Sequence, residues 1–371
     1  MAHVKTVCGK NQCTGCMACV QICSKQAIVV KDELTCYNAY IDEKRCVNCQ
    51  KCYTVCQQCD EVKGREPIEW CQGWATNPDI RASGSSGGIA SAIAIAFVQN
   101  KGLVCSCKMI HGDFVFELVS SETELKGFSG SKYVKSNPAD CYKKIKSAIQ
   151  CGKDVLFIGL PCQAEALRKF IGTQVQDRLY TVDLICHGTP SPKVLEYAMR
   201  EKKIALHTMN KLNFRSKTTF GLFDEAFKPL TNPKLRDWYM SSFLWGLSYS
   251  ENCYSCKFAT LKRGSDITLG DSWGTELKDE AGKGISLILC QTYKGKELLK
   301  MADVVLNNVD VDRAICYNKQ LVQPTIKNKK RDLFFKLIRH GIAFSHAMGL
   351  CFPVIYIKQV IKKVLLLLRI I

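Results

Sequence analysis

Closely spaced cysteines are the feature of this sequence that points most directly to chemistry. The run CTGCMACVQIC at residues 13–23 recurs as CVNCQKCYTVC at residues 46–56, a displacement of 33 residues. Each run has the pattern C-x2-C-x2-C-x3-C, in which three thiolates bind one 4Fe-4S cube and the fourth reaches a second cube. The doubled run predicts two clusters. The ligands would be Cys13, Cys16, Cys19 and Cys56 for one cube, and Cys46, Cys49, Cys52 and Cys23 for the other.

Zinc is the alternative metal for these runs. Structural zinc sites are tetrahedral and usually pair two separated C-x2-C knuckles, which matches a doubled four-cysteine run less well. Ser24 and Gln57 stand where such runs usually carry Pro after the fourth Cys, but this change removes no ligand. Four neighbouring cysteines are left over, and we interpret them as small buried hydrophobic side chains. They are Cys8, Cys36, Cys59 and Cys71.

A second cysteine group is scattered along the middle of the chain. It consists of Cys162 in GLPCQ, Cys186 in ICHG, and the pair Cys253 and Cys256 in NCYSCKF. The first two follow predicted strands, and open α/β sheets bind their ligands at the carboxyl ends of strands. Four thiols that converge there would bind a third 4Fe-4S cluster. A redox dithiol at Cys253 and Cys256, or a structural zinc ion, are the alternatives.

Two glycine-containing segments are candidates for cofactor binding. RASGSSGG, residues 81–88, precedes a small-residue apolar helix, and such a loop leaves its backbone N–H groups open to a phosphate or pyrophosphate. The loop lacks the Lys of a P-loop, so an ordinary helix cap is the alternative. ITLGDSWG, residues 267–274, places Asp271 and Trp273 after a strand, where they would face a ring system or form a plain strand exit.

The elements that must position these residues alternate from Gly102 onward. Short apolar runs predict strands at 154–159, 179–185, 266–269 and 286–291. Amphipathic stretches predict helices at 163–170, 192–203 and 294–301. This alternation is typical of an α/β fold. The stretch before Cys71 has few long apolar runs, so bound clusters would have to supply its core.

Further motifs extend the pattern: GSKYVKS at 130–136, FIGLPCQAEAL at 157–167, VDLICHGTPSP at 182–192 and NFRSK at 213–217. Together with the cysteine runs, SGSSGG, CYSCKF and RGSDITLGDSWG, they resemble the beta subunits of coenzyme F420 hydrogenase and dehydrogenase that carry an N-terminal ferredoxin domain. The nearest type is the bacterial one encoded with polysaccharide synthesis. The resemblance covers residues 13–308.

The resemblance implies FAD in the large domain and supports the third cluster. The implied flavin contacts are Ser85, Ser86, Gly87, Gly88, Lys132, Tyr133, Gly270, Asp271 and Trp273. The sequence departs from the family pattern at Leu160, where we expect Thr, and at Ser272, where we expect an aromatic residue. Both positions are candidates to line the substrate pocket.

We therefore expect three parts. Residues 1–72 would form an α+β ferredoxin-like domain with two 4Fe-4S clusters, and residues 73–325 a larger α/β flavin-binding domain. Residues 326–371 would form a basic, apolar helical tail.

Flavins exchange one or two electrons, whereas a 4Fe-4S cluster moves one at a time. We therefore predict an oxidoreductase that passes electrons from ferredoxin or a similar donor through the clusters to FAD, which reduces an organic substrate. The substrate would be F420-like or a polysaccharide-pathway intermediate. His187, beside Cys186, is the candidate proton donor, because the pKa of histidine lies near neutrality. The alternative is a non-catalytic subunit that delivers electrons to a partner oxidoreductase.

The formal net charge is +18, and half of it lies in the tail, where ten Lys or Arg and one Asp follow from Lys327 onward. The basic residues are not interleaved with aromatic residues, as they are in proteins that bind single-stranded nucleic acid. The positive charge therefore does not indicate nucleic-acid binding. The start MAHVKTVCGK lacks the apolar core of a signal peptide, so we expect the reducing cytoplasm. The ending IKQVIKKVLLLLRII predicts a helix that lies on the inner face of the membrane, or packs on the body or a partner subunit.

Overall fold

In a computed structural model of the protein, residues 5–370 are described, apart from the side chains of residues 174 and 175. The first part of the chain contains two short helices and one antiparallel hairpin. These elements are α1 (Ala18–Ile22), β1 (Ile28–Asp32), β2 (Tyr37–Ile41) and α2 (Lys51–Thr54). Ile28 pairs with Ile41 and Val30 with Ala39 in the hairpin. The small core beneath it combines Val7, Ile28, Tyr37 and Ile41 with cysteine side chains.

The internal repeat is visible in the backbone. Gly15 and Met17 have positive φ angles of 67° and 60°, and Asn48 and Gln50, 33 residues later, have φ angles of 52° and 58°. A short helix follows directly in each copy, α1 after Met17 and α2 after Gln50. Left-handed backbone at equivalent positions is uncommon outside glycine, so the two copies share one local fold.

The larger part of the chain is a mixed α/β structure. Its elements are β3 (Glu69–Ala75), α3 (Pro78–Ser83), α4 (Ile89–Gln99), β4 (Leu103–Ile110), β5 (Asp113–Val119), α5 (Glu122–Leu125), α6 (Cys141–Gln150), β6 (Val155–Ile158), α7 (Pro161–Ile171), β7 (Leu179–Leu184), α8 (Pro192–Glu201), β8 (Asn213–Ser216), β9 (Thr219–Phe223), α9 (Trp238–Leu244), β10 (Ile267–Asp271), α10 (Lys278–Ala281), β11 (Ser286–Cys290), α11 (Tyr293–Met301), β12 (Val304–Asn307), α12 (Val311–Tyr317), α13 (Arg331–Arg339), α14 (Phe344–Cys351) and α15 (Pro353–Leu367).

One eight-stranded sheet organises this part, in the order β12-β3-β11-β10-β7-β6-β4-β5. The four central strands β10, β7, β6 and β4 are parallel. Antiparallel strands flank them on both sides. The carboxyl ends of parallel strands lie at one edge of a sheet, so the segments after β6, β7 and β10 emerge near one another.

Helices cover both faces of the sheet. The apolar helix α4 packs with α11 on one face, where Ile93 and Phe97 meet Leu156 and Ile267. Helices α6 and α7 pack on the other face, where Tyr142 joins the core of the central strands. Parallel strands buried on both faces are expected to be continuously apolar, and β6 is VLFI with every residue buried.

A third core lies beside the sheet. It joins α8, α9 and the β8–β9 hairpin to α13 and α14, and contains Phe214, Tyr239, Phe334 and Phe344. The first two helices after residue 325, α13 and α14, thus pack on the body. The last helix, α15, has no buried residue. Within residues 5–370, no helix is both long enough and apolar enough to cross a membrane.

The strands and helices predicted from Asp154 to Met301 are confirmed, with ends that differ by at most two residues. Strand β3 spans residues 69–75, so the residues on either side of position 72 belong to one strand. The division of the chain into parts at residues 72 and 325 stays a prediction.

Candidate functional site

The cysteines of the two repeats gather in two pockets, and each pocket takes its fourth cysteine from the other repeat. Cys23 lines a cavity of about 360 Å³ with the first three cysteines of the second run, namely Cys46, Cys49 and Cys52. A narrower pocket is lined by Cys13, Cys16, Cys19 and Cys56. The structure thus brings together both of the sets that the sequence predicts as cluster ligands.

The chemistry of both pockets suits thiolate ligands. The backbone N–H of Gly15 donates to Cys13 Sγ at 3.4 Å, and that of Ala27 donates to Cys23 Sγ at 3.3 Å. Burial, with the neighbouring Cys13 and Cys56, raises the pKa of the Cys16 thiol to about 12. Thiols crowded in this way form thiolates when a cationic metal group balances them.

Within residues 5–370, no three or more His, Cys, Asp or Glu side chains converge as the ligands of a single metal ion do. The thiolates of a 4Fe-4S cube bind four different iron atoms, so they stand farther apart than the ligands of one ion.

The four leftover cysteines differ in burial. Cys36 and Cys71 are buried, as expected of small hydrophobic side chains. Cys59 is exposed and donates to the carbonyl oxygen of Val7, so the expectation is wrong for this residue. Cys8 is half-buried and lines the pocket of Cys13 and its neighbours.

The scattered cysteines meet at the carboxyl edge of the sheet. Cys162 follows β6 at the start of α7, and Cys186 follows β7. Cys253 lies in a short 3-10 helix, and Cys256 is the residue that follows this helix. Burial, together with the nearby Cys253 and Cys256, raises the pKa of the Cys186 thiol to about 12. Burial raises the pKa of the Cys162 thiol too, and Cys256 and Cys186 add to the rise. The four thiols therefore form one electrostatically linked group.

Lys135 brings a positive charge to this group. The side chain is only 5% exposed, and the thiols of Cys162, Cys253 and Cys186 raise its pKa against the effect of burial. Its backbone N–H donates to Pro190 O at 2.8 Å, in the loop after Cys186. The next residue, Ser136, accepts from Gln163 Nε2 at 3.1 Å, beside Cys162. Lys135 is thus fixed between the two loops that carry cysteines.

Gln57 connects the first cysteine pocket to the scattered group. Its side chain is 1% exposed, and its Nε2 donates to Thr14 Oγ1 at 2.6 Å and to Cys162 O at 3.1 Å. Its Oε1 accepts from Cys16 Sγ at 3.8 Å. The residue that replaces the usual Pro therefore touches both sites.

The Gly/Ser loop before α4 forms one wall of a cavity of about 120 Å³. Ser85 Oγ accepts from the backbone N–H of Ser131 at 2.7 Å. Lys217 Nζ donates to the carbonyl oxygens of Gly84 at 2.8 Å and Ser86 at 3.0 Å. Ser85 and Lys217 both line this cavity, with Arg215 beside them.

Three other predicted flavin contacts of the same loop, Ser86, Gly87 and Gly88, face the protein interior. Ser86 Oγ donates to Ile285 O at 2.8 Å, and Gly87 N–H donates to Ser286 Oγ at 3.0 Å. A Cβ on Gly87 would lie 2.3 Å from Gly73 O. Gly88 is buried with a φ angle of 81°. These residues hold the loop against β3 and β11.

A second cavity of about 210 Å³ adjoins the first and shares Gly130, Ser131 and Asn213 with it. Three lysines line it: Lys126, Lys132 and Lys211. Burial lowers the pKa of Lys132 to about 8. The predicted contact Lys132 thus belongs to a polar cavity lined by three lysines and one glutamate, Glu225, whose excess of positive charge favours an anion.

Arg215 ties the remaining predicted contacts together. It makes a bidentate ion pair with Asp271, with N–O distances of 2.7 and 3.1 Å, and donates to Tyr133 Oη at 3.2 Å. Its guanidinium carbon lies 5.5 Å from the Trp273 ring centre and 4.9 Å from that of Phe220. The neighbouring Gly270 packs closely on Ile185. A Cβ at this position would lie 2.4 Å from Ile185 Cδ1, so the contact requires glycine.

His187 lies between the scattered cysteines and this ion pair. His187 is exposed to solvent at the surface. The protein atoms around its ring lower the pKa of His187 by desolvation, and the carboxylate of Asp271 opposes this change. Ser272 is buried and donates to Gln72 Oε1 at 2.6 Å, so its hydroxyl group turns inward. Leu160 is the N-terminal cap residue of α7.

Arg215, Lys217, Lys135 and Gln57 are not among the residues predicted as site residues. Two signals point toward them: NFRSK contains Arg215 and Lys217, and GSKYVKS contains Lys135. The position of Gln57 after a fourth cysteine was visible, but its contact with Cys162, 105 residues away, is a property of the fold.

The geometry can be compared with known proteins. No curated protein matches the chain. A solved chain from the F420-reducing [NiFe] hydrogenase complex of Methanosarcina barkeri is 17% identical with a TM-score of 0.51, and the match covers 76% of this chain and 94% of that one. At this identity the likeness concerns the fold, a mixed α/β structure around a large mixed sheet.

Two family models also match. The model of the coenzyme F420 hydrogenase/dehydrogenase beta subunit N-terminus matches residues 70–140, and that of its C-terminus matches residues 152–311. The matched segments begin at β3 and include Cys162, Cys186, Cys253 and Cys256. The two cysteine runs lie before them. The chain belongs to the coenzyme F420 hydrogenase/dehydrogenase beta subunit family.

Proposed function

We propose that this protein is an iron–sulfur flavoprotein oxidoreductase. When bound, 4Fe-4S clusters and FAD would supply the exchange between a one-electron donor, such as ferredoxin, and the two-electron reduction of an organic substrate. One observation carries the proposal: Gln57 bridges the first cysteine group to the scattered group, through Cys16 on one side and the Cys162 carbonyl on the other. In the scattered group, Cys186 is followed by His187, which lies within electrostatic reach of the pair of Arg215 and Asp271.

Twelve cysteines would hold the clusters in this proposal. The N-terminal region, as a ferredoxin-like α+β domain, would hold two, and the carboxyl edge of the sheet would hold the third. Lys135 balances the negative charge of the third group, and Gln57 fixes the distance between the first and third groups. Ligand sets are Cys13, Cys16, Cys19 and Cys56; Cys46, Cys49, Cys52 and Cys23; and Cys162, Cys186, Cys253 and Cys256.

The two adjoining cavities are the proposed FAD site. Ser85 offers a hydroxyl group to the pyrophosphate, which is doubly anionic. Lys132 and Lys217, whose ammonium groups donate to backbone carbonyl oxygens, would contribute positive charge around it. Tyr133 and Trp273, held by Arg215, offer aromatic faces for the ring system. Ser86, Gly87, Gly88, Gly270 and Asp271 shape the site from behind, through the contacts that fix the loop and the arginine.

His187 is the proposed proton donor to the reduced substrate. Histidine has the unperturbed pKa nearest neutrality, and desolvation lowers the pKa of His187, which makes its imidazolium a stronger acid. The exposed position of His187 lets a substrate approach from solvent. The substrate would be F420-like, after the family, or an intermediate of polysaccharide synthesis. Unpaired thiols in this number suit a reducing compartment such as the cytoplasm.

The test is the metal and flavin content of the full chain purified without oxygen. We expect about twelve iron atoms per chain, four for each cube, and one FAD. A Cys253→Ser/Cys256→Ser variant should fall to about eight iron atoms and keep the spectrum of the N-terminal clusters.

The matched control is Cys316→Ser, since Cys316 is an exposed cysteine outside the three groups. Its iron content should equal that of the unchanged protein. Zinc in place of iron, with no flavin bound, would overturn the oxidoreductase proposal.

A second candidate function is electron delivery to a partner oxidoreductase without an organic substrate. It is favoured by one observation, that the similar solved chain belongs to a multi-subunit hydrogenase complex. The purified chain, reduced with dithionite, distinguishes the two: reduction of a deazaflavin or other organic acceptor by this chain alone supports the first function, and reduction that requires a partner supports the second.

A further inference from the structure

The last helix, α15, exposes a continuous apolar stripe. Val354 is 66% exposed, Ile357 56%, Ile361 54%, Val364 47% and Leu368 64%. Their spacing alternates between three and four residues, which places all five on one face of a helix. A monomeric protein rarely leaves such a row of branched side chains in water, so this face is expected to meet a partner.

The opposite face of α15 is already occupied. The ring of Tyr356 lies 6.0 Å from that of Trp238, and Gln359 Oε1 accepts from the backbone N–H of Arg236 at 2.9 Å. These contacts hold α15 on the body and fix its rotation. The apolar stripe therefore points away from the protein and cannot be covered by a small rearrangement of the helix.

The charges beside the stripe have one sign. Six Lys or Arg and no Asp or Glu occur from residue 333 to the end of the chain. Four of the six lie in or directly after α15, and the stripe is flanked by Lys358, Lys362 and Arg369. A second copy would bring like charges together, which disfavours pairing of two such helices. An anionic surface is the complementary partner.

We propose that the outer face of α15 docks on a membrane surface of anionic phospholipid. The stripe would enter the boundary between head groups and acyl chains, with the helix axis parallel to the membrane plane. The flanking lysines and Arg369 would meet lipid phosphates, as basic residues next to an apolar face do. This docking does not depend on the clusters or on FAD.

The test is co-sedimentation of the full chain with vesicles. Vesicles of equal parts phosphatidylglycerol and phosphatidylcholine should bind the protein, and pure phosphatidylcholine should bind it at least about tenfold more weakly. Raising the salt concentration should weaken binding to the anionic vesicles, because screening reduces the attraction between lysines and phosphates.

Two variants separate the apolar and the charged contributions. Ile357→Glu/Ile361→Glu should weaken binding roughly tenfold or more. Lys358→Gln/Lys362→Gln should weaken it by about fivefold for each charge removed. Ile326→Glu is the matched control, since Ile326 is 80% exposed but lies outside α15. All variants change solvent-facing residues, and circular dichroism and the unfolding temperature establish that each one is folded.

Three results would overturn the proposal. They are no binding of the folded protein to anionic vesicles, equal binding to neutral ones, and a dimer in sedimentation velocity that Ile357→Glu/Ile361→Glu abolishes. The last would assign the stripe to a second copy of the chain.

Discussion

Lys135 is the residue that most directly adjusts the chemistry of the third cysteine group. Its ammonium is buried among Cys162, Cys186 and Cys253, and no ion pair of Lys135 occurs among the described residues 5–370. A fixed positive charge stabilises the reduced state of a nearby cluster, because that state carries one more electron. In the proposed third cluster, the charge of Lys135 would therefore favour the arrival of an electron.

Lys135→Met should lower the reduction potential of the third cluster by roughly 60 mV or more, which corresponds to about tenfold in the equilibrium for one electron. Lys135→Arg should largely preserve it. The measurement is a redox titration followed by electron paramagnetic resonance. The control is Lys143→Met, at an exposed lysine. An unchanged potential in Lys135→Met would show that this charge does not act on the cluster.

Two lysines of the proposed FAD site make binding sensitive to pH. Burial lowers the pKa of Lys132 to about 8, and burial with the nearby Arg81 and Arg215 lowers that of Lys217 to about 8. A lysine with a lowered pKa is cationic below that value and neutral above it. Attraction for a pyrophosphate is therefore present at pH 7 and lost as the pH rises through 8.

The affinity for FAD should be constant from pH 6 to 7 and then fall, by roughly tenfold per pH unit above 8 for each ammonium that binding requires. Isothermal titration calorimetry between pH 6 and 9.5 measures this. Lys132→Arg should shift the fall to higher pH, because arginine stays charged throughout. A constant affinity up to pH 9.5 would contradict a role for either ammonium.

The sequence predicts the residues of the candidate site unevenly. Local spacing suffices for the two cysteine runs, which the structure gathers into two pockets. Spacing could not identify Arg215, because its partners Asp271 and Tyr133 are 56 and 82 residues away. The same limit applies to Ser272, which turns inward to a side chain 200 residues away.

At the scale of elements, the loop before α4 depends on close backbone packing. Gly87 accepts from the backbone N–H of Ala75 at 2.8 Å, and its Cα faces Gly73 of β3. An added methyl group would lie 2.3 Å from Gly73 O and 2.8 Å from Ser286 N, both backbone atoms that cannot give way cheaply. The position of Ser85 in the cavity thus follows from the absence of a side chain two residues later.

Gly87→Ala should lower the free energy of unfolding by about 1–3 kcal/mol and weaken FAD binding, because the loop must move away from β3. Gly282→Ala is the matched control, since a Cβ there would have no atom within 4 Å, and it should change stability by less than about 0.5 kcal/mol. Urea unfolding of both variants measures the difference. Equal stability of the two would show that the loop can shift at no cost.

The elements that were predictable are those with a strong local pattern. Strand β6 is continuously apolar and α8 is amphipathic, and both lie where the sequence places them. Strand β3, EWCQGWA, has neither a continuous apolar run nor a clean alternation. It becomes a strand because β11 and β12, more than 200 residues later, pair with its two edges. Only the tertiary fold supplies that information.

At the scale of the whole molecule, the N-terminal region is joined to the body by a shared apolar core with α6 and α7, which includes Ala18 and Val55, and by buried polar contacts. Gln57 reaches Cys162 O from one side, and Gln21 Oε1 accepts from the backbone N–H of Tyr142 at 3.0 Å and that of Lys143 at 3.2 Å from another. Buried hydrogen bonds of this kind fix orientation, because their loss leaves polar groups unsatisfied. The separation of the first and third cysteine groups therefore depends on the docking of the whole region.

Gln57→Leu removes the amide that joins these two groups but leaves every cysteine in place. The Cys162 carbonyl and the Thr14 hydroxyl lose their partner, so we expect a cost of about 1–3 kcal/mol in the free energy of unfolding. The iron content should be unchanged, while reduction of the bound flavin by reduced ferredoxin, followed by stopped flow, should slow severalfold.

Gln58→Leu is the control, because the neighbouring side chain is only partly buried and makes no contact with Cys162. It should leave both the stability and the rate of flavin reduction close to those of the unchanged protein. If Gln57→Leu loses stability but reduces its flavin at the original rate, the amide holds the two parts together without bearing on electron transfer. If the rate falls in Gln57→Leu alone, the contact between the two cysteine groups lies on the route that electrons take.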